Sequence, residues 1–217
     1  AYLGLPAFLW SPQELECLGG VNFLKGGILH AAKVITVSPT YAKEILTPAF
    51  GYGLDDVVRR RASDLRGILN GVDRDEWNPE DDEHIAAAFS AKKPAGKAEC
   101  KTALLRELGL ATDRDVPLVG VVSRLWEQKG LDLAVSVLPK FLRKDSLQFV
   151  LLGSGDAWLE NEFKRLAVDF PQLCAVRIGY DNGLSHRIEA GCDFFLMPSR
   201  FEPCGLNQMY SMAYGTL

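Results

Sequence analysis

Glu202 stands in the run Pro198-Ser199-Arg200-Phe201-Glu202-Pro203-Cys204-Gly205-Leu206, after the apolar segment Phe194-Phe195-Leu196-Met197 and before a helical stretch from Asn207 to Ala213. A buried strand, a tight Pro/Gly turn and a helix turn backbone N–H groups outward at the helix N-terminus, where they can hold an anion. A carboxylate inside such a corner is costly for folding and asks for a functional reason. The plain alternative is an acid favoured by the dipole of the helix that follows. Gly205 has no side chain, so a ligand can approach its backbone closely. Cys204 has no histidine or other base beside it in sequence and reads as a backbone contact rather than a nucleophile.

A second group of chemical residues is Ser123-Arg124-Leu125-Trp126-Glu127-Gln128-Lys129-Gly130. Arg124 offers a planar fork and Lys129 a point charge, a pair able to clamp a diphosphate. The alternative is a solvated loop with incidental charges. Gly153-Ser154-Gly155 invites a dinucleotide reading, but Trp158 stands where a third glycine would be, so a tight turn is the better reading and a nicotinamide enzyme is disfavoured. Gly179-Tyr180 places an aromatic ring that could stack on a base, or that is half-buried like most tyrosines. His186 opens a helical stretch and reads as a packing or capping residue rather than a catalytic one. Asn70 and Asp73 fall in Asn-Gly-Val-Asp, which locally reads as a type I′-like or Asx turn.

The elements that must position these residues follow a βαβαβαβα order from Leu118 onward. Strands are expected over Leu118–Val122, Gln148–Leu152, Ala175–Ile178 and Asp193–Met197. Helices are expected over about Leu131–Leu142, Trp158–Asp169, Leu184–Ala190 and Leu206–Ala213. Such alternation implies a parallel sheet with right-handed crossovers. Ligands of such sheets bind outside the carboxyl ends of the strands, just after Val122, Leu152, Ile178 and Met197. Upstream, a helical pattern at Leu24, Ile28, Leu29 and Ala32 precedes a strand at Val34–Val37 and a helix from Pro39 to Leu46 capped by Ser38. A short strand is expected over Ile68–Asp73, and a polar loop from Asp75 to about Ala98. The boundary is placed near residue 70, giving 1–68 as the close of one α/β domain and 69–217 as a second.

The chain has 217 residues, 47% of them hydrophobic and 24% charged, enough for an ordinary globular core. The net charge of −4 and the scattered basic residues argue against a nucleic-acid surface. No apolar stretch reaches the roughly 20 residues needed to cross a bilayer. Five cysteines without metal-ligand spacing read as reduced thiols, and three histidines without a partnering pattern make a metal site unexpected. The sequence starts at Ala1 inside what reads as a strand and stops just after Gly215, so it reads as part of a longer protein.

Beyond the block around Glu202, three strings carry a resemblance: Val37-Ser38-Pro39-Thr40-Tyr41-Ala42-Lys43-Glu44-Ile45, Gln128-Lys129-Gly130-Leu131-Asp132 and Ala190-Gly191-Cys192-Asp193. Together they resemble the bacterial glycogen synthase and plant starch synthase family along nearly the whole chain. The resemblance implies a GT-B architecture of two Rossmann-like domains, with residues 69–217 binding a nucleotide-sugar donor. It implies a retaining transfer of glucose from ADP-glucose to the non-reducing end of an α-1,4-glucan, with no cofactor, no metal, no nucleic acid and no membrane. Arg124 and Lys129 would stabilise the leaving diphosphate, and Glu202 would accept hydrogen bonds from donor-sugar hydroxyls. Cys204, Gly205 and Leu206 would offer backbone N–H groups to diphosphate and glucose. Tyr180 would lie against the base, Gly153 at the pocket edge, and Asn70 and Asp73 at the cleft floor. Many related retaining transferases carry a second Glu where this chain has Tyr210; the glycogen and starch synthase branch lacks it too. The family's N-terminal Lys-x-Gly-Gly-Leu loop and its later Gly-rich loop are not in this sequence. The location implied is a bacterial cytoplasm or a plastid stroma. A UDP-sugar-using transferase and a catalytically incomplete nucleotide- or glucan-binding fragment stay open as alternatives.

Overall fold

The computed structural model describes residues 4–217, so the strand expected at Ala1 falls outside it. The chain divides into two compact units, Ala1–Gly71 and Val72–Leu217.

The first unit opens with a short 3-10 turn, Ala7–Leu9, and a two-stranded antiparallel ribbon of β1 (Glu16–Cys17) and β2 (Gly20–Val21). Helix α1 (Phe23–His30) follows, started by the Asn22 side chain, which accepts from the Lys25 N–H at 2.9 Å. The Arg61 guanidinium donates to the carbonyls of Ile28, Leu29 and Ala31 and so satisfies the otherwise open end of α1. Strand β3 (Val34–Val37) pairs in parallel with β4 (Leu65–Ile68), and between them lie α2 (Pro39–Glu44) and α3 (Asp55–Arg60). Ser38 caps α2 through its hydroxyl, and Pro39 supplies a preset first-turn φ.

The second unit carries the core. Helix α4 (Ala95–Leu108) comes first. Then follow β5 (Leu118–Val122), α5 (Leu131–Leu142), β6 (Gln148–Gly153), α6 (Ala157–Asp169), β7 (Cys174–Ile178), α7 (Asn182–Gly191), β8 (Phe194–Phe195) and α8 (Leu206–Ala213). All pairings are parallel, in the order β7-β6-β5-β8. Alternate side chains of β6 go to opposite faces. Phe149 and Leu151 pack with Leu138, Leu142, Phe163 and Leu166 of α5 and α6. Val150 and Leu152 pack with Leu104, Leu184 and Ile188 of α4 and α7. The result is a three-layer sandwich with its sheet buried on both sides, which is why the strands read as apolar runs. Two lysines of α4 fasten the far end. Lys97 Nζ donates to the carbonyls of Ala190 and Tyr214 and to Thr216 Oγ1. Lys101 Nζ meets Asp193 Oδ2 at 2.7 Å, and that carboxylate also accepts from the Leu118 N–H. No helix among the described residues is long and apolar enough to cross a membrane.

The structure corrects three expectations. The strand expected over Ile68–Asp73 ends at Ile68, because only Leu65–Ile68 has β3 beside it to pair with. The strand expected over Asp193–Met197 is reduced to Phe194–Phe195, although Leu196 still donates to the Gly120 carbonyl before the chain leaves at Pro198. Helix α4 lies where a loop to about Ala98 and no further element had been expected; it is held by Cys100, Leu104 and Leu105 on its buried side and closed by left-handed Gly109.

Helix α7 lies close on β5 because Gly120 has no side chain: a Cβ there would sit 2.6 Å from Cys192 Sγ and 2.9 Å from Ile188 Cγ2. Gly120→Ala is expected to cost about 1–3 kcal/mol through overpacking. The urea midpoint read by circular dichroism checks this, and an unshifted midpoint would show that α7 can move away freely.

Candidate active site

The order of the second sheet reverses at β5: the chain steps outward through β6 and β7, then returns by α7 to place β8 on β5's other edge. The loops leaving β5 and β8 therefore lie side by side at a switch point in strand order, and a crevice opens at the carboxyl ends of the strands, the place where ligands of such sheets bind. A cleft of about 380 Å³ lies there, walled by the loops after β5, β6, β7 and β8 and by facing sides of α7 and α8.

Two of these loops are zipped together. Gly130 passes so close beneath Pro198 that a Cβ would lie 2.0 Å from the proline carbonyl oxygen, and its φ of +64° is one that side chains resist. The Arg200 N–H donates to the Gln128 carbonyl, and the Gln128 side chain returns a bond to the Phe201 carbonyl. The Arg200 guanidinium grips both carboxylate oxygens of Asp132, at 2.8 and 2.7 Å, and adds the Glu127 carbonyl at 2.6 Å. Across this zipper Lys129 Nζ meets Glu202 Oε2 at 2.6 Å, with the Ser199 hydroxyl on the same oxygen at 3.3 Å. Arg124, one loop-width away, is exposed and has no side-chain partner among the described residues. Beyond Glu202, Gly205 takes a left-handed φ of +77° and starts α8 without a side-chain cap, so the first N–H groups of that helix face the cleft unbonded to any side chain. Asn207 ties this helix start to the end of β5 by donating to the Val122 carbonyl at 2.5 Å.

The inner wall is aromatic. The Trp77 indole is sandwiched between His186 on one face and Tyr210 on the other, each with ring centroids 3.9 Å apart and nearly parallel planes. His186 is fully buried; its Nδ1 lies 2.8 Å from Asp82 Oδ2, which also accepts from the Tyr214 hydroxyl. Burial works against the Asp82 carboxylate, but the hydrogen bonds from Tyr214, the His84 backbone N–H and His186 outweigh it and hold the carboxyl below its usual range. Glu189 reaches the cleft from α7, is 1% exposed and accepts from the Ser211 hydroxyl at 2.9 Å. Burial pushes its carboxyl up to about 8, against the pull of Ser211 and Lys97.

The cleft brings together seven of the residues singled out in the sequence: Arg124, Lys129, Gly153, Tyr180, Glu202, Gly205 and Leu206 all line it. Gly153 is there because its backbone runs against the Ser123 carbonyl, where a Cβ would sit at 1.9 Å. Tyr180 stands at the rim, 90% exposed. Cys204 is half-buried but not on the wall; its carbonyl accepts from Gln208. Asp73 is not on the wall either: it forms an Asx turn by accepting from the Asp75 N–H at 3.0 Å. Asn70 belongs to the first unit, beyond the end of β4. His186 packs, as its sequence context indicated. Sequence reasoning missed Trp77, Asn207 and Glu189. None of the three left a local signal: Glu189 stands in a helix that also carries Asn182, Ser185, His186 and Arg187.

Comparison with known proteins places these features in a wider set. The family described as "Starch synthase catalytic domain" matches residues 1–60, and "Glycosyl transferases group 1" matches residues 116–217. The chain is 56% identical to a glycogen synthase of Anaeromyxobacter sp. (strain Fw109-5) over 99% of its own length and 45% of the relative's. It is 52% identical to a glycogen synthase of Cellvibrio japonicus over 99% of its length and 44% of the relative's. Among solved structures, the catalytic domain of starch synthase IV from Arabidopsis thaliana, bound to ADP and acarbose, matches with a TM-score of 0.91 at 41% identity, over 99% of this chain and 45% of that one. The chain thus spans about half the length of the curated relatives it matches.

The Asp82 network makes a pH-dependent contribution. Because folding lowers the Asp82 pKa from its ordinary 3.8, the stabilisation is present above that value and is lost as pH falls through the folded value. Asp82→Asn is expected to lower stability by about 2 kcal/mol at neutral pH. The gap to the parent protein should narrow below about pH 4; urea unfolding across a pH series checks both.

Proposed function

The chain belongs to the family of bacterial glycogen synthases and plant starch synthases, and from that premise we propose that the protein is a retaining glucosyltransferase moving glucose from ADP-glucose to the non-reducing end of an α-1,4-glucan. ADP-glucose is then substrate and ADP product; no cofactor is assigned. The Val72–Leu217 unit is the donor-binding half of a GT-B enzyme. The observation that carries this reading is the meeting, in one switch-point cleft, of an uncapped helix start with an arginine that has no side-chain partner and a lysine held only by a carboxylate among the described residues.

In the reaction the bond from glucosyl C1 to the diphosphate oxygen breaks with its electron pair staying on the diphosphate, the 4-hydroxyl oxygen of the glucan end bonds to C1, and that hydroxyl's proton passes to the departing diphosphate. Arg124 and Lys129, with the N–H groups of Gly205 and Leu206, meet the charge that grows there, which is the largest device such a site has. Lys129 can turn to a phosphate oxygen by exchanging one contact, Glu202. Glu202 is then free to accept from glucose hydroxyls. Tyr180 at the rim supplies a face for the base. Starch synthase IV of Arabidopsis, solved with ADP and acarbose, supports the choice of ADP and of a glucan acceptor. The bacterial relatives support a cytoplasmic setting over a plastid one.

Calorimetric titration of the chain with ADP, and with UDP for comparison, tests the donor site. Saturable ADP binding is expected, weakened about tenfold in Arg124→Ala by loss of a charge-assisted contact. Binding of neither nucleotide overturns the reading, and preference for UDP replaces the donor. In the longer protein, Lys129→Ala should lower kcat about a hundredfold, as removal of one charge-stabilising group does, while the KM for glucan changes little; an unchanged kcat sinks that role.

A further inference from the structure

Glu189 is the one acid deep in the cleft that the reaction scheme leaves unused. Asn182, Ser185 and Glu189 all reach the cleft from α7, and the rise of the helix sets Glu189 about 10 Å along from Asn182. Asn182 accepts from the hydroxyl of Tyr180, which marks the base end. Opposite Glu189 stand Tyr210 and Ser211 of α8, about one helical turn from the Gly205–Leu206 corner assigned to the diphosphate. Glu189 therefore lines the same cleft deeper along its wall than either the base rim or the phosphate corner, within about a nucleoside's length of both. Its carboxyl is bonded to one hydroxyl, that of Ser211, and makes no ion pair among the described residues. Lys97, the nearest cation in its field, is spent on three oxygens of the chain instead.

Resting on the donor reading above, we infer that Glu189 is a further donor-binding residue whose carboxyl group exchanges hydrogen bonds with the vicinal hydroxyls of the nucleotide's ribose. A buried acid without a cation is a poor partner for phosphate and a good one for a diol, which can both accept and donate. With its pKa near 8, the group is protonated at neutral pH and offers one donor and one acceptor. Other titratable groups face it from each neighbouring element. They are Lys97 of α4, whose pKa burial lowers, Cys192 after α7, and Tyr210 and Tyr214 from α8 and its end, all three raised first by burial. These stay in place when Glu189 is changed, so the difference between parent and variant isolates the carboxyl.

The test is calorimetry of the chain with ADP, 2′-deoxy-ADP, 3′-deoxy-ADP and ADP-glucose. The parent protein should bind at least one deoxy analogue about tenfold more weakly than ADP, the size of a lost buried hydrogen bond. Glu189→Gln, which keeps a donor and an acceptor, should hold ADP within about threefold and keep that discrimination. Glu189→Leu should lose about tenfold on ADP and bind ADP and the deoxy analogue alike. Raising the pH from 7 to 9 should weaken ADP binding by the parent protein and leave Glu189→Gln flat. Discrimination that persists in Glu189→Leu, or a pH profile unchanged in Glu189→Gln, overturns the inference while the donor reading stands. A loss seen with ADP-glucose but not with ADP moves the contact to the glucosyl group and also overturns it. Failure of the parent protein to bind ADP at all overturns the donor reading and this inference together.

Discussion

The passage of Gly130 beneath the Pro198 carbonyl is the constraint on which the cleft depends. The reversal of strand order at β5 makes the two loops neighbours, but neighbouring loops are free to drift. Here the backbones touch, and a ladder from Gln128, Arg200 and Asp132 runs along the contact. The Arg200–Asp132 pair is partly exposed and by itself contributes little to stability. Its effect is geometric: it fixes the register at which Lys129 and Glu202 face each other, from loops that leave different strands.

Charge is treated in two ways within one cleft. At the mouth Lys129 and Glu202 neutralise each other, each about a fifth exposed, so neither bears the full cost of an isolated buried ion. Deeper in, Glu189 has no such partner and solves the same problem by keeping its proton. Asp82 is a third case: a buried carboxylate kept ionised because three donors converge on it. Burial acts on both Asp82 and Glu189, and the local supply of donors decides the opposite outcomes.

Much of the donor-side fold was legible because its strands are buried on both faces. Leu118–Val122 and Gln148–Leu152 are unbroken apolar runs, and the helices between them keep their period. The sequence pattern overstated β8, since an apolar run does not reveal where an edge partner stops; pairing there ends at Phe195 although Leu196 and Met197 are apolar. It understated α4, whose Cys100, Leu104 and Leu105 are interleaved with Lys, Glu and Arg after a polar stretch. The site was legible where its residues stand at strand ends, since topology alone places Arg124, Lys129, Glu202 and Tyr180 at one edge. It was not legible where chemistry arises from distant segments. Trp77 meets His186 and Tyr210, and Asp82 meets Tyr214, only after folding, and no local spacing foretells such pairs.

The indole sandwich has a spectroscopic side. The chain has four tryptophans, and Trp10, Trp126 and Trp158 are each more than half exposed, whereas Trp77 is clamped between two rings on the cleft wall. Three emitters thus share the spectrum of water-bathed indole, and one differs, held against an imidazole that can quench it. Any molecule entering the cleft meets Tyr210 and Trp77 on its wall. The protein carries a built-in optical reporter for that cavity, set apart from its other chromophores by its surroundings alone.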